Sequence, residues 1–264
     1  RSVADLRSRL NAFAKAFEGR RVSAVDEQEV RNWLDGMNRL SARSLKNYRN
    51  AVCGFFNWAV ARKYRPGNPV AAIPVPKIDW KPPCILTVAE TNRLLRAALE
   101  VEGNYGRKLL ACHALALFAG IRTQEVTQLN WSAVNLDRKL VRIDATIAKK
   151  RRLRTVDLPD NCVAWLRLCA EKEGRVSPPK YYKRVAEFRR DAGFTDWKDE
   201  KSNALRHSFG SYHFALYQNA PLTSSLLGHR GDDDVLFDHY RALCDKKDAE
   251  AYFAITPKNV GRKK

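Results

Sequence analysis

Arg206-His207-Ser208-Phe209, Leu226-Leu227-Gly228-His229 and Tyr240 gather a guanidinium, an imidazole and a phenol in the last quarter of this chain. A phenol can attack a phosphodiester when cations hold the phosphate and offset the charge that develops on its oxygens. Upstream, Gly120-Ile121-Arg122-Thr123-Gln124-Glu125 supplies a second guanidinium. Between the two lies a basic turn, Ala148-Lys149-Lys150-Arg151-Arg152. Two planar, permanently charged guanidinium groups can clamp the non-bridging oxygens of one phosphate. A turn lysine can release a proton to a leaving oxygen, or simply contact a nucleic-acid backbone. Each piece has a plainer reading alone: a surface arginine after a helix-ending glycine, an imidazole capping a helix C-terminus, or a helical arginine reaching to water.

The elements that must position these groups are mostly helical. Ser41 reads as the N-cap of a helix that puts Leu45, Tyr48, Val52, Phe55, Phe56 and Ala59 on one face. Arg43, Lys46, Asn47 and Asn50 fall on the opposite face. Pro66-Gly67-Asn68-Pro69, Pro74, Pro76, Pro82 and Pro83 make residues 66–83 read as extended, with the linker proper at 74–83. Thr87 and Glu90 have capping-box spacing ahead of the next helix. An apolar helix near Lys108–Phe118 follows, then the Gly120 break and a short helix with Thr123 as its cap. Glu125 can cap that same helix. Leu140–Ile147 and Leu153–Leu158 alternate apolar and polar residues around the basic turn, the pattern of a β-hairpin. Helices are expected near 160–173 and 179–191, then at Asn203–Tyr217, Leu222–Leu227, Asp233–Leu243 and Ala249–Ile255. The fold class is mostly α with a small antiparallel sheet.

Charge narrows the partner. The 264 residues carry a formal net charge of +19, which favours a polyanion, nucleic acid first. Between Asp35 and Asp79 there is no acidic residue but there are eight basic ones. A solvated face usually mixes signs, so this stretch suits phosphate contact. Both sides of the linker are basic, as a clamp on a DNA duplex would be. No apolar run is long enough to span a bilayer, so the expected location is the cytoplasm, with the nucleoid. The six cysteines, Cys53, Cys84, Cys112, Cys162, Cys169 and Cys244, form no C-x-x-C pair, so they read as reduced thiols rather than zinc ligands. Asp232-Asp233-Asp234 reads as a polar loop and helix cap rather than a metal site.

Taken in order, Arg122, the pair Lys149/Lys150, Arg206, His229 and Tyr240 resemble the active site of the tyrosine site-specific recombinases, the phage-integrase family. The resemblance runs from about Val22 to about Ile255. It implies a helical core-binding domain over residues 1–73, the linker at 74–83, and a catalytic domain over 84–264 ending in an exchange helix. It implies that Arg122, Arg206 and His229 hold the scissile phosphate and that Glu125 supports Arg122 from behind. Lys149, with Lys150 as runner-up, protonates the leaving 5′ oxygen, and Tyr240 is the nucleophile. Lys150, Arg151 and Arg152, with Arg43, Lys46, Asn47 and Asn50, contact the DNA backbone. Tyr212, Tyr217 and Tyr252 compete with Tyr240 by residue type, but the first two precede His229 and the third lies too far beyond it. One position departs: where the family usually has histidine three residues before its second arginine, this chain has Asn203.

The resulting expectation is an enzyme that cleaves and rejoins duplex DNA through a 3′-phosphotyrosyl bond. That bond conserves the phosphodiester's energy, so no cofactor is expected. Ala249, Tyr252 and Phe253 form an apolar stripe suited to docking on a neighbouring protomer in a dimer or tetramer. The same stripe would serve for packing on its own domain. The rivals are a type IB topoisomerase-like enzyme, which works alone, and a DNA-binding relative that has lost catalysis, for which Asn203 is the best support.

Overall fold

The computed structural model describes residues 2–79, 81–148, 153–195, 197, 203–228 and 243–260. The chain divides into two compact units, Arg1–Lys81 and Pro82–Lys264.

The first unit is helical. Helix α1 spans Ser2–Ala16, α2 spans Glu27–Asp35 and α3 spans Ala42–Ala61. Asp26 and Glu29 form a capping box on α2, and the Ser41 hydroxyl accepts from the Ser44 amide at the start of α3. Val52, Phe56 and Ala59 are fully buried on the inner face of α3, while Arg43, Asn47 and Asn50 are exposed and Lys46 half-buried. Phe13 sits edge-on to Trp33 and to Phe56 at the centre of this core.

Two of the eight basic residues expected to face phosphate are structural instead. Arg49 donates to the carbonyls of Val70 and Ile73. Arg65 donates to the carbonyls of Val22 and Val25, and its guanidinium lies over the Phe56 ring. The Arg49 bonds also correct the expectation of an extended segment from residue 66. Val70 and Ile73 are buried in the first unit's core, so the chain is anchored as far as Ile73. Prolines alone could not reveal this, because their fixed φ suits a packed turn as well as a tether.

The second unit is built around α5, Gly103–Phe118, buried on every side from Leu109 to Phe118. A helix apolar all round has no solvent face to offer. Around it pack α4 (Val88–Glu100), α7 (Asp160–Arg167) and α9 (Ala204–Tyr217). The Thr87/Glu90 capping box starts α4 as its spacing predicts. Strands β1 (Val134–Asn135), β2 (Leu140–Ile143) and β3 (Arg154–Asp157) form one antiparallel sheet in that order. The β2–β3 register pairs Val141 with Val156 and Ile143 with Arg154. The expected hairpin is present, but β2 stops at Ile143, where the amides of Ile147 and Ala148 turn back to the Asp144 carbonyl. Strand β1 is too short to leave an alternation in the sequence. Helices α6 (Thr123–Val126), α8 (Tyr181–Asp191), α10 (Ala220–Leu226), α11 (Lys246–Phe253) and α12 (Pro257–Val260) complete the described elements. The helix expected at Asp233–Leu243 lies almost wholly outside the described residues.

The apolar stripe on α11 is occupied within its own chain. Ala249 and Tyr252 are fully buried. The Tyr252 ring stacks on Tyr212 of α9 at 4.0 Å, and its hydroxyl donates to the Leu117 carbonyl at 2.6 Å. Within the chain the Ala249 and Tyr252 side of α11 is therefore packed on its own domain, one of the two uses that its spacing allows. Burial also raises the thiols of Cys112 and Cys162, and pushes Cys169 to about 12, so they stay protonated. Among the described residues no group of His, Cys, Asp or Glu side chains is arranged to hold a metal, and no helix is long and apolar enough to cross a membrane.

Two buried histidines are expected to make this unit sensitive to acid. His113 donates from Nδ1 to the Leu109 carbonyl, and burial together with the Arg189 charge pushes its pKa down to about 3. The Thr223 hydroxyl spends its proton on the Asn219 carbonyl and so accepts from Nδ1 of His213. Burial lowers that imidazole to about 4. Both rings are neutral when folded and protonate near 6.5 when unfolded. Their contribution to stability is thus whole above 6.5 and falls as pH drops toward 4. Between pH 7 and pH 5 the pair should lose about 4 kcal/mol, a fall in Tm of roughly 10 °C. Melts at the two pH values check this, and an unchanged Tm would mean the imidazoles are charged in the fold.

Candidate active site

The site grows from two breaks in the helical framework. Helix α5 ends at Phe118 with Ala119 as its C-cap, and Gly120 turns the chain with φ +59°. A side chain here would collide with its surroundings, since a Cβ would lie 2.4 Å from Cδ1 of Phe209 and 3.0 Å from Leu227. Ile121 is buried, and Arg122 follows as the N-cap of α6. The expected cap, Thr123, is instead the first helical residue. Arg122 holds the cap position by receiving Glu125: its amide donates to Glu125 Oε2 at 3.2 Å, and its Nη1 donates to Oε1 at 3.3 Å.

Glu125 is almost wholly buried, 1% exposed. A buried carboxylate needs partners, and the shortest come from Arg154 at the start of β3. Its Nη1 donates to Oε1 at 3.0 Å and its Nη2 to Oε2 at 2.6 Å. Burial would raise the Glu125 pKa, but the bonds and charge of Arg154, with the charge of Arg122, hold it below the usual carboxylate range. Glu125 is therefore ionised at neutral pH.

The second break is Leu227-Gly228, just past α10, where Gly228 has φ +62°. Arg206 of α9 ties the two breaks together. It is buried, 6% exposed, and donates from Nη1 to the Gly120 carbonyl and from Nη2 to the Leu227 carbonyl. Residues far apart in sequence thus converge: the segment entering Arg122, the segment entering His229, and the arginine between them. Asn203 stands at the N-terminus of α9, exposed, with its side chain capping nothing and its carbonyl accepting the His207 amide. Lys149, Lys150, Arg151, Arg152, His229 and Tyr240 lie outside the described residues.

The competing tyrosines are better defined. Tyr212 donates its hydroxyl to the Leu86 carbonyl at 3.0 Å, and Tyr252 donates to Leu117. Burial raises the pKa of both phenols, the opposite of what a nucleophile needs. Tyr217 remains exposed at the end of α9. Sequence reading missed Arg154, though a signal was there: Val156 faces inward, so the strand's period of two turns residue 154 inward as well. A charged residue on a buried strand face demands a partner, and Glu125 is that partner.

Residues 85–246 match the model of the phage integrase family, and residues 1–63 match the phage integrase N-terminal SAM-like domain. The chain belongs to the phage integrase family. Tyrosine recombinase XerC of Xylella fastidiosa is 27% identical over 224 residues, covering 79% of this chain and 74% of that one. Tyrosine recombinase XerD of Staphylococcus saprophyticus is 25% identical over 246 residues, covering 83% and 79%. This family member is accordingly an enzyme of the tyrosine-recombinase type. The fold agrees with solved integrases. A lambda integrase dimer bound to a core site superposes with a TM-score of 0.73 at 19% identity, covering 93% of this chain and 91% of that one. The XerH recombinase in a post-cleavage complex gives 0.69 at 20% identity, covering 91% and 77%.

Proposed function

We propose that this integrase-family chain is a site-specific recombinase that cuts and rejoins duplex DNA through a tyrosyl intermediate. One observation carries the reading: Arg206 binds both the turn that launches Arg122 and the turn that leads to His229. The segments bearing Arg122 and Arg206 are thereby joined, with Glu125 and Arg154 behind Arg122, and His229 is the residue that follows the second turn in sequence. In the reaction, the Tyr240 phenol gives its proton to solvent as Oη forms a bond to phosphorus and the bond to the 5′ oxygen breaks. Lys149 gives that oxygen its proton. A 3′-phosphotyrosyl bond and a free 5′ hydroxyl result, and attack by a 5′ hydroxyl from another strand reverses the step. Arg122, Arg206 and His229 offset charge on the transferring group.

Residues 1–73 serve as the core-binding domain, presenting Arg43, Asn47 and Asn50 to the duplex, and residues 74–83 link it to the catalytic domain at 84–264. Relatives have been seen as a dimer on a core site and as a tetramer on a Holliday junction, which supports assembly of this chain on paired DNA sites. The enzyme works in the cytoplasm, where its substrate is, and its family suits a mobile element.

Asn203 decides how fast the reaction runs. A carboxamide can orient a phosphate but carries no proton at neutral pH, and general-base help is typically worth ~10²–10⁴-fold. A phenol bound beside several cations already has a lowered pKa, so the expected enzyme is slow but active. The test incubates the protein with a pool of nicked random-sequence duplexes, then recovers and sequences the DNA that survives denaturation on protein. Wild type should form adducts at a defined sequence. Asn203→His should form them as fast or faster, with a pH dependence near the imidazole pKa, and Asn203→Ala more slowly. Adducts from Asn203→His but none from wild type would make the native chain a DNA-binding relative without catalysis.

A further inference from the structure

Arg154 belongs to neither of the phosphate-binding segments, yet it touches both. Its fork closes on the two oxygens of Glu125 at 3.0 and 2.6 Å. Arg122 reaches the same carboxylate through a single longer side-chain bond of 3.3 Å. The far edge of the Arg154 guanidinium lies against the second break: a Cβ built on Gly228 would sit 3.3 Å from Nε and 3.4 Å from Cδ. That Nε is buried and has no hydrogen-bond partner among the described residues. The Gly228 backbone packs on it where any larger residue would press.

We propose that Arg154 is a positioning residue of the reaction, occupying Glu125 with a two-bond fork so that Arg122 keeps its guanidinium for the phosphate, and backing the Gly228 turn that leads to His229. The inference rests on the recombinase reading and goes beyond it. The charge count explains the need. Arg122 and Glu125 alone would form a neutral buried pair, and a carboxylate with two free oxygens would draw Arg122 into a fork of its own. With Arg154 present, the three groups carry one net positive charge, and the arginine less tightly bound to Glu125 is the one expected at the phosphate. Strand β3 supplies the rigidity. Arg154 is fixed by its pairing opposite Ile143, so Glu125 is aimed from the sheet rather than from its own short helix. Displacing a phosphate ligand by about 1 Å can cost ~10²-fold in rate.

The test measures covalent adduct formation in single turnover, at saturating protein, on the pool of nicked random-sequence duplexes, with duplex affinity measured alongside. Arg154→Met keeps the length of the stem and removes the fork. It should slow adduct formation at least about tenfold while duplex affinity changes little, because one buried cation is lost among many phosphate contacts. Adding Glu125→Gln should restore part of that loss, since the neutral amide no longer competes for Arg122. Because a buried carboxylate left without its partner also destabilises the fold, rates are compared at a temperature where circular dichroism shows every variant folded. A residue that only stabilised the fold would then show no rate loss to rescue. If Arg154→Met proves too unstable, Arg154→Lys retains the charge with a single point of contact and should be slowed while Arg154→Lys/Glu125→Gln recovers. A double variant no faster than its Arg154 single variant overturns the inference, as does an Arg154→Met rate equal to wild type. Failure of the recombinase reading looks different: wild type itself forms no adduct.

Discussion

Replacing Tyr240 with phenylalanine is expected to remove every covalent protein–DNA adduct while leaving duplex affinity nearly unchanged. The variant loses one hydroxyl from a chain with a net charge of +19, whose affinity for DNA is governed by phosphate contacts. Two of the competing phenols cannot take over. Tyr212 and Tyr252 are stacked in the core with their hydroxyls on backbone carbonyls. Ionising either would leave a buried phenolate facing a carbonyl oxygen, and burial already holds both pKa values high. Gel-resolved adducts on nicked duplexes, with affinity measured in parallel, check the result. Persistent adducts from Tyr240→Phe would reassign the nucleophile, and Tyr217, exposed at the end of α9, would be tested next.

The two glycine breaks were legible in the sequence for a physical reason. A helix-ending glycine followed by Arg122 and a second glycine before His229 are local signals, and backbone turns are written locally. Capping at Ser41 and Thr87 was legible on the same ground, because a cap involves residues three apart. What the sequence hid is long-range. Arg154 acts on Glu125 across 29 positions, and Arg206 on Gly120 across 86. Arg49 and Arg65 looked like phosphate ligands because charge alone does not tell a solvated guanidinium from one capping carbonyls. The α11 stripe was ambiguous in the same way, since an apolar face has the same spacing whether its partner is its own domain or another copy.

The Gly120 break joins fold and chemistry, so Gly120→Ala should be among the most damaging small substitutions in the second unit. Alanine in the left-handed region costs roughly 1–2 kcal/mol by itself. The added methyl would also meet Phe209 at 2.4 and 2.9 Å and Leu227 at 3.0 Å. Those side chains are 2% and 0% exposed, so neither can swing into solvent, and overpacking of this kind adds about 1–3 kcal/mol. A total of roughly 2–5 kcal/mol is expected, read as a lower urea midpoint at unchanged slope. Gly193→Ala is the control in the same unit: its φ is +79°, but a Cβ there meets nothing within 4 Å, so only the backbone cost applies. The difference between the two isolates the packing of the break on α9. Relief of the clash would move the Gly120 carbonyl, which accepts from Arg206. Protein that remains folded should therefore also form adducts more slowly, whereas Gly193→Ala should not. Equal urea midpoints for the two variants would mean that Phe209 and Leu227 yield freely, and the break would then be a turn with no hold on the site.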